Sequence, residues 1–273
     1  MKNFFQRAIT AAAFVLVLLS ATYKDFTFTI LFTFVTLLGT LEFYKLAEKD
    51  GSTSPQRLMG SITAVVLFLT NAIYTMFHLN IRILLFILPF IFLIFIVELY
   101  RKKEHPFRNI AFTILGIIYV AIPFALLNYI LTCRGKYSPQ ILYGFFFILW
   151  SNDTGAYITG SLLGRNKLFP RVSPGKSWEG SIGGAILGYI VAFLMADWFT
   201  VIHLKDWMVI ATILIIIGTL GDLVESLYKR SINIKDSGSI LPGHGGILDR
   251  FDSLLMATPF VFTYLYLFKN IYL

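Results

Sequence analysis

The 273-residue chain is poor in charge: Asp, Glu, Lys and Arg make up only 14% of it, where soluble domains carry about 25%. With 57% hydrophobic residues and a mean hydropathy of +0.74, a water-soluble fold would have nowhere to place its apolar surface. Soluble classes are therefore excluded and an integral membrane protein is expected. Cysteine is all but absent. Cys133 stands alone, so an intrachain disulfide framework and a cysteine-based metal site are both excluded. No base lies near it in sequence, and it reads as a passive residue at a helix end. Acidic residues are also scarce, 15 against 23 Lys and Arg, for a net charge of +8. In a soluble protein that balance would suggest nucleic acid. Here it points to helix orientation against an anionic membrane face, or to a polyanionic substrate. Neither a Walker A motif nor a kinase loop set occurs.

What the chain does contain is aromatics and long apolar runs. Its 27 Phe and 14 Tyr suit lipid-facing and interfacial positions. Apolar segments lie near 8–22, 26–44, 58–78, 82–100, 109–131, 140–160, 181–202, 207–228 and 253–270. Each is roughly what a helix needs to cross about 30 Å of hydrocarbon. The expected fold is an all-α polytopic bundle of about nine transmembrane helices, the first of them short enough to be tilted, kinked or re-entrant. The opening stretch "MKNFFQRAITAAAFVLVLLSATY" shares the basic start and apolar centre of a signal peptide. The apolar pattern resumes at once, however, and a retained first helix is expected. With the N-terminus in the cytoplasm and the C-terminus outside, the inside segments hold most of the 23 Lys and Arg. Residues 1–140 read as about five membrane helices with polar residues mainly in loops. Glu42 and Glu98, near span ends, read there as members of hydrated salt bridges. Residues 141–273 read as about four helices with two long cytoplasmic loops, and chemistry is expected in this half.

Three polar stretches stand out. In "IIIGTLGDLVESLYKRSINIKD", Asp222, Glu225, Ser226 and Lys229 fall on one helix face. Carboxylates near the end of a membrane helix are expensive unless paired, hydrated or bound to a cation. The plain alternative is an ion pair of Lys229 with Glu225 or Asp222. In "LPGHGGILDRFDS", Gly243, Gly245 and Gly246 around His244 indicate tightly turned backbone, and Asp249 and Asp252 flank Arg250 as the last helix begins. One of these carboxylates could be an N-cap, with Ser253 as a competitor. In "WSNDTGAYITGSLLGRNKLFPRVSPGKSWEGSIGG", Asp153 sits inside an apolar span, Arg165 and Lys167 make a basic loop, and a Pro-Gly turn precedes Lys176, Ser177 and Glu179. Orientation in the membrane is the plain alternative for these cations. Gly180, Gly184 and Gly188 read as a helix-packing ridge rather than ligand contacts. Asp153, Asp222, Glu225, Asp249 and Asp252 could converge at one depth, ringed by Arg165, Lys176, Lys229, Arg230, Lys235 and Arg250. Oxygen ligands without cysteine suit a hard cation such as Mg²⁺, and basic residues with glycine-rich turns suit phosphates. Together they fit Mg²⁺-assisted phosphoryl or nucleotidyl transfer at a membrane surface.

The stretch "SLYKRSINIKDSGSILPGHGGILDRFD" resembles the signature of the phosphatidate cytidylyltransferases, or CDP-diacylglycerol synthases. Ser226, Lys229, Arg230, Lys235, Asp236, His244, Gly245, Gly246, Asp249, Arg250 and Asp252 all match its polar positions. Tyr228 departs conservatively from an aliphatic residue or Phe. "NDTGAY" and "SPGKSWEG" are similar to family segments too, with Ser177 where Thr is common. The likeness is strong over residues 150–253, while the first 140 agree only in hydropathy. The resemblance implies a reaction of CTP with phosphatidic acid to CDP-diacylglycerol and pyrophosphate, at the cytoplasmic face of the plasma (inner) membrane. It also implies a Mg²⁺ requirement, with a second, monovalent cation left open. Residues matching Asp222 and Asp249 are the foremost metal ligands, and Asp153, Glu225 and Asp252 are further candidates. Ser226, Lys229 and His244 fall in the same site, where His244 could donate to phosphate, support the metal shell or stabilise the turn. Arg165, Lys176, Ser177, Arg230, Lys235, Asp236, Gly245, Gly246 and Arg250 are candidates for holding substrate. The expected partners are CTP, phosphatidic acid and the bilayer, with a homodimer left open and nucleic acid not expected. Two rivals carry the same charges: a CTP-dependent polyprenol kinase, and a cation transporter built on the buried carboxylates.

Overall fold

The computed structural model describes residues 2–234, 237–238 and 245–268. These form nine continuous helices. They are α1 (Lys2–Thr22), α2 (Asp25–Ala47), α3 (Arg57–Phe77), α4 (Ile87–Arg101, entered by a 3₁₀ turn), the joined pair α5 (Pro106–Gly116) and α6 (Ile122–Thr132), α7 (Gln140–Leu163), α8 (Trp178–Trp198), α9 (Leu204–Ser231) and α10 (Leu248–Phe268). Seven are long and apolar enough to cross a membrane. The other two are α1, whose apolar part is the shorter Ile9–Thr22, and α7, which carries Ser151, Asn152, Asp153 and Thr154 midway. The chain has the helices of a multi-pass membrane protein. The all-α expectation needs one correction. Lys167–Phe169 (β1) and Ser173–Ser177 (β2) pair antiparallel between α7 and α8.

Local sequence explains several boundaries. Pro106 opens α5, where its missing N–H is no loss. Pro123 has no N–H for the carbonyl four residues back, and the turn just before it widens to a π-helical one, Ile117–Ala121. Ser177 ends β2 and caps α8, accepting from the Gly180 N–H at 3.2 Å.

Lipid tails are as apolar as leucine, so helices in a bilayer associate through close packing rather than hydrophobic expulsion. The α7–α8 contact is of that kind. A Cβ on Gly184 would lie 2.6 Å from the Asn152 carbonyl oxygen, and one on Gly180 2.9 Å from that of Ala156. The expected packing ridge is therefore present, and Gly188 extends it to Ile215 of α9. The rings of Phe32, Phe124 and Phe251 meet edge to face with centroids 5.4–6.0 Å apart, so one core joins the two halves of the chain. Phe34, Phe92, Leu99 and Leu162 point outward. In water such a belt would drive aggregation, whereas lipid accepts it.

Candidate active site

The 3.6-residue period of α9 puts Asp222, Glu225, Ser226 and Lys229 on one face, as expected. The Ser226 hydroxyl donates to Asp222 Oδ1 at 3.2 Å. Lys229 reaches across to α10, with its Nζ 2.7 Å from Asp249 Oδ1 and 3.2 Å from Glu225 Oε2. Asp249 lies in the first turn of α10, where the positive end of the helix dipole favours an anion. It also accepts from the backbone N–H groups of Gly246 (2.8 Å) and Ser237 (3.1 Å). Gly245 takes a left-handed φ of 83°, and a Cβ there would meet Asp249 Oδ2 at 2.5 Å. Both requirements are met by glycine alone.

The β1–β2 hairpin supplies the other wall. Lys176 on β2 extends to Asp222, Nζ to Oδ2 2.5 Å, and ties the hairpin to α9. The ion-pair alternative thus holds for Lys229 with Glu225, while Asp222 takes Lys176, a pairing not expected from the sequence. Glu179 accepts from the backbone N–H groups of Arg165 and Asn166 and shapes the loop before β1. Ser177 is buried and occupied as the α8 cap.

Two cavities adjoin this cluster, and Asp153 lines both. One, of ≈ 450 Å³, lies between α7, the hairpin, α8 and α9, and is lined by Asn152, Lys176, Thr219 and Asp222. The other, of ≈ 230 Å³, lies between α1, α7 and α10. Asp249, Arg250 and Asp252 form its polar side, and Phe14, Val15 and Leu18 of α1 its apolar side. Asp252 is within electrostatic reach of Asp222 and Asp153. Asp153 thus shares one cavity with Asp222 and the other with Asp249 and Asp252, and Glu225 meets Asp249 at Lys229, but among the described residues no three acidic side chains are gathered closely enough to hold a metal ion together. Arg230 instead donates to the Ile234 carbonyl at 3.3 Å, and neither it nor Arg165 lines the two cavities. Lys235, Asp236 and His244 lie outside the described residues.

Two expectations about the first half are corrected. Glu98 does form an ion pair, with Arg101 at 2.8 Å, but it is buried and also receives Gln56 and Asn109. Glu42 is not in a hydrated salt bridge. It is 3% exposed and accepts from the N–H groups of Ile247 (2.8 Å) and Leu248 (3.4 Å) and from the Ser237 hydroxyl. The sequence reading missed this residue as part of the site. Its signal was a lone carboxylate in the apolar run "TLLGTLEFYKLA".

The family model for cytidylyltransferases matches residues 5–268. The chain belongs to the cytidylyltransferase family. The match reaches well beyond residues 150–253, into the first 140 residues. Among curated cytidylyltransferases, the chain is 46% identical over 160 residues to the phosphatidate cytidylyltransferase of Staphylococcus haemolyticus (strain JCSC1435), 58% of this chain and 60% of that one. It is 45% identical to that of Staphylococcus saprophyticus and 43% to that of Staphylococcus aureus (strain COL), over the same shares of each chain. The chain thus spans about 60% of the length of these cytidylyltransferase relatives.

Proposed function

We propose that the chain transfers the cytidylyl group of CTP to phosphatidic acid, giving CDP-diacylglycerol and pyrophosphate. The observation that carries the reading is the juxtaposition, at Asp153, of two cavities that each set charged residues in a largely apolar wall. The hairpin-side cavity bears Lys176 beside Asp222, a cation suited to a phosphate of CTP. The α1-side cavity has an apolar wall suited to a lipid, and Asp153 belongs to both.

The chemistry asks little covalent work of the protein. A phosphate oxygen of phosphatidic acid attacks the α-phosphorus of CTP, the bond from that phosphorus to the bridging oxygen breaks, and pyrophosphate leaves. The nucleophile is already anionic, so no serine or cysteine nucleophile is required, and Ser226 is engaged with Asp222. The difficulty is bringing two anions together, which makes positioning and charge neutralisation the main tasks. Lys176 lines the hairpin-side cavity and is a point charge for a phosphate of CTP. Lys229 and two backbone N–H groups fix the direction of Asp249. Arg250 on the α1-side cavity is placed for the lipid phosphate.

The donor chemistry suits a hard cation, although among the described residues no three of these carboxylates form a ready-made metal site. The residues concerned offer only oxygen, and Glu225 is buried with the Lys229 ammonium 3.2 Å from Oε2. Asp153, Asp222 and Asp252, with Asp249 and Glu225 beside them, are the residues that would hold Mg²⁺. When bound it supplies neutralisation of the charge shared by the two substrates. The distribution of Lys and Arg supports a cytoplasmic face for the site.

The test uses purified protein, phosphatidic acid and CTP labelled at the α-phosphate. Label entering the lipid, with pyrophosphate released, is the expected result. Label that never reaches the lipid, or γ-phosphate transfer to a lipid alcohol, overturns the reading.

A further inference from the structure

Glu42 is a carboxylate of the first half of the chain bound by backbone of the last helix. Its partners are the N–H groups of Ile247 and Leu248, at the entry to α10, and the hydroxyl of Ser237. Among the described residues it has no ion pair, whereas Glu98, equally buried, is matched by Arg101. The backbone closes round it on two sides. A Cβ on Gly246 would fall 1.8 Å from Glu42 Oε1, and one on Gly238 3.2 Å from Glu42 Cδ. No other side chain at 246 could be accommodated there without moving Glu42 or the backbone.

The groups that hold Glu42 are also those that orient Asp249. Ser237 gives its hydroxyl to Glu42 and its N–H to Asp249. Gly246, pressed against Glu42, gives its N–H to Asp249 Oδ2 at 2.8 Å. The start of α10 then carries Asp252 one turn later on the same face. A shift of Glu42 therefore moves the donors of Asp249 and the helix bearing both carboxylates.

We infer that Glu42 is a positioning residue for the site: it docks the entry of α10 and thereby sets where Asp249 and Asp252 stand. It lines neither of the two cavities. Its role as part of a cytidylyl-transfer site rests on the function proposed above, whereas the docking itself does not. Displacements of about 1 Å in such a site cost about 10²-fold in rate.

The test compares Glu42→Ala, Glu42→Gln, Ser237→Ala and the Glu42→Ala/Ser237→Ala double variant in the full chain, with Glu98→Gln as a matched control. Label transfer per folded molecule and hydrogen exchange over residues 245–248 are both read. Glu42→Ala is expected to lower kcat about 10²-fold and to release the Ile247 and Leu248 amides to exchange. Glu42→Gln, keeping one acceptor oxygen, should fall between it and the parent. The double variant should be no worse than Glu42→Ala, since the Ser237 hydroxyl acts through Glu42. Glu98→Gln should melt earlier yet keep its kcat. Unchanged exchange in Glu42→Ala, or the Glu98→Gln profile of lost stability with intact kcat, overturns the inference. If the parent protein makes no lipid product, the function reading fails, and the exchange measurement still decides the docking role.

Discussion

Lys229 is the most exacting test of the charge arrangement. Its ammonium stands 2.7 Å from Asp249 and 3.2 Å from Glu225, and its side chain is only 12% exposed. Lys229→Met keeps the apolar stem and removes the charge, which leaves two buried carboxylates facing each other across a helix contact. Removing one partner of a buried pair costs about 3–5 kcal/mol. Asp249 retains the Gly246 and Ser237 N–H groups, so the lower end applies to it. Glu225, buried and deprived of its ammonium, should dominate the loss. At about 2–4 °C per kcal/mol for a chain of this class, the melting temperature should drop by on the order of 10 °C. Glu225→Gln added to Lys229→Met removes the worse-solvated charge and should recover part of that drop. Thermal unfolding in detergent, followed by tryptophan fluorescence, reads both. Neither variant should form lipid product, because Asp249 has lost the group that directs it. A Lys229→Met protein that melts like the parent, or a double variant that melts lower than the single one, would refute the reasoning.

Gly184→Ala puts a methyl 2.6 Å from the Asn152 carbonyl oxygen and should lower stability by about 1–3 kcal/mol, read as an earlier thermal transition. Lys176→Met should raise the KM for CTP roughly tenfold. Its stability should change by less than about 1 kcal/mol, because the Lys176–Asp222 pair is partly exposed; an unchanged KM takes Lys176 out of nucleotide contact. Chelation of divalent cations should stop lipid labelling and added Mg²⁺ restore it, and Asp252→Asn should raise the Mg²⁺ concentration required. Labelling that persists in chelator removes the cation from the reaction.

Much of this arrangement was legible because it is periodic. The Asp222–Lys229 face follows from the helical repeat, and the expected span 207–228 lies inside α9, Leu204–Ser231. The small-residue ridge of α8 was legible for the same reason. The β1–β2 hairpin was not: "KLF" and "SPGKS" have no apolar alternation, and proline and glycine argue against a strand. Lys176 with Asp222 was equally hidden, because a pairing between a hairpin and a helix leaves no trace in local spacing. Glu42 was misread for the opposite reason. Its position near a span end suggested water, while its partners lie in another helix, 205 and 206 residues onward.

That separation bears on how the molecule is made. A carboxylate in an apolar helix has to be satisfied by something, and the groups that satisfy Glu42 belong to nearly the last helix synthesised. Throughout synthesis of the intervening helices the nascent chain carries an acid whose final partners do not yet exist. Contacts of such long range form late and leave intermediates exposed. Chains truncated before α10 would retain this acid without the Ile247 and Leu248 amides that meet it.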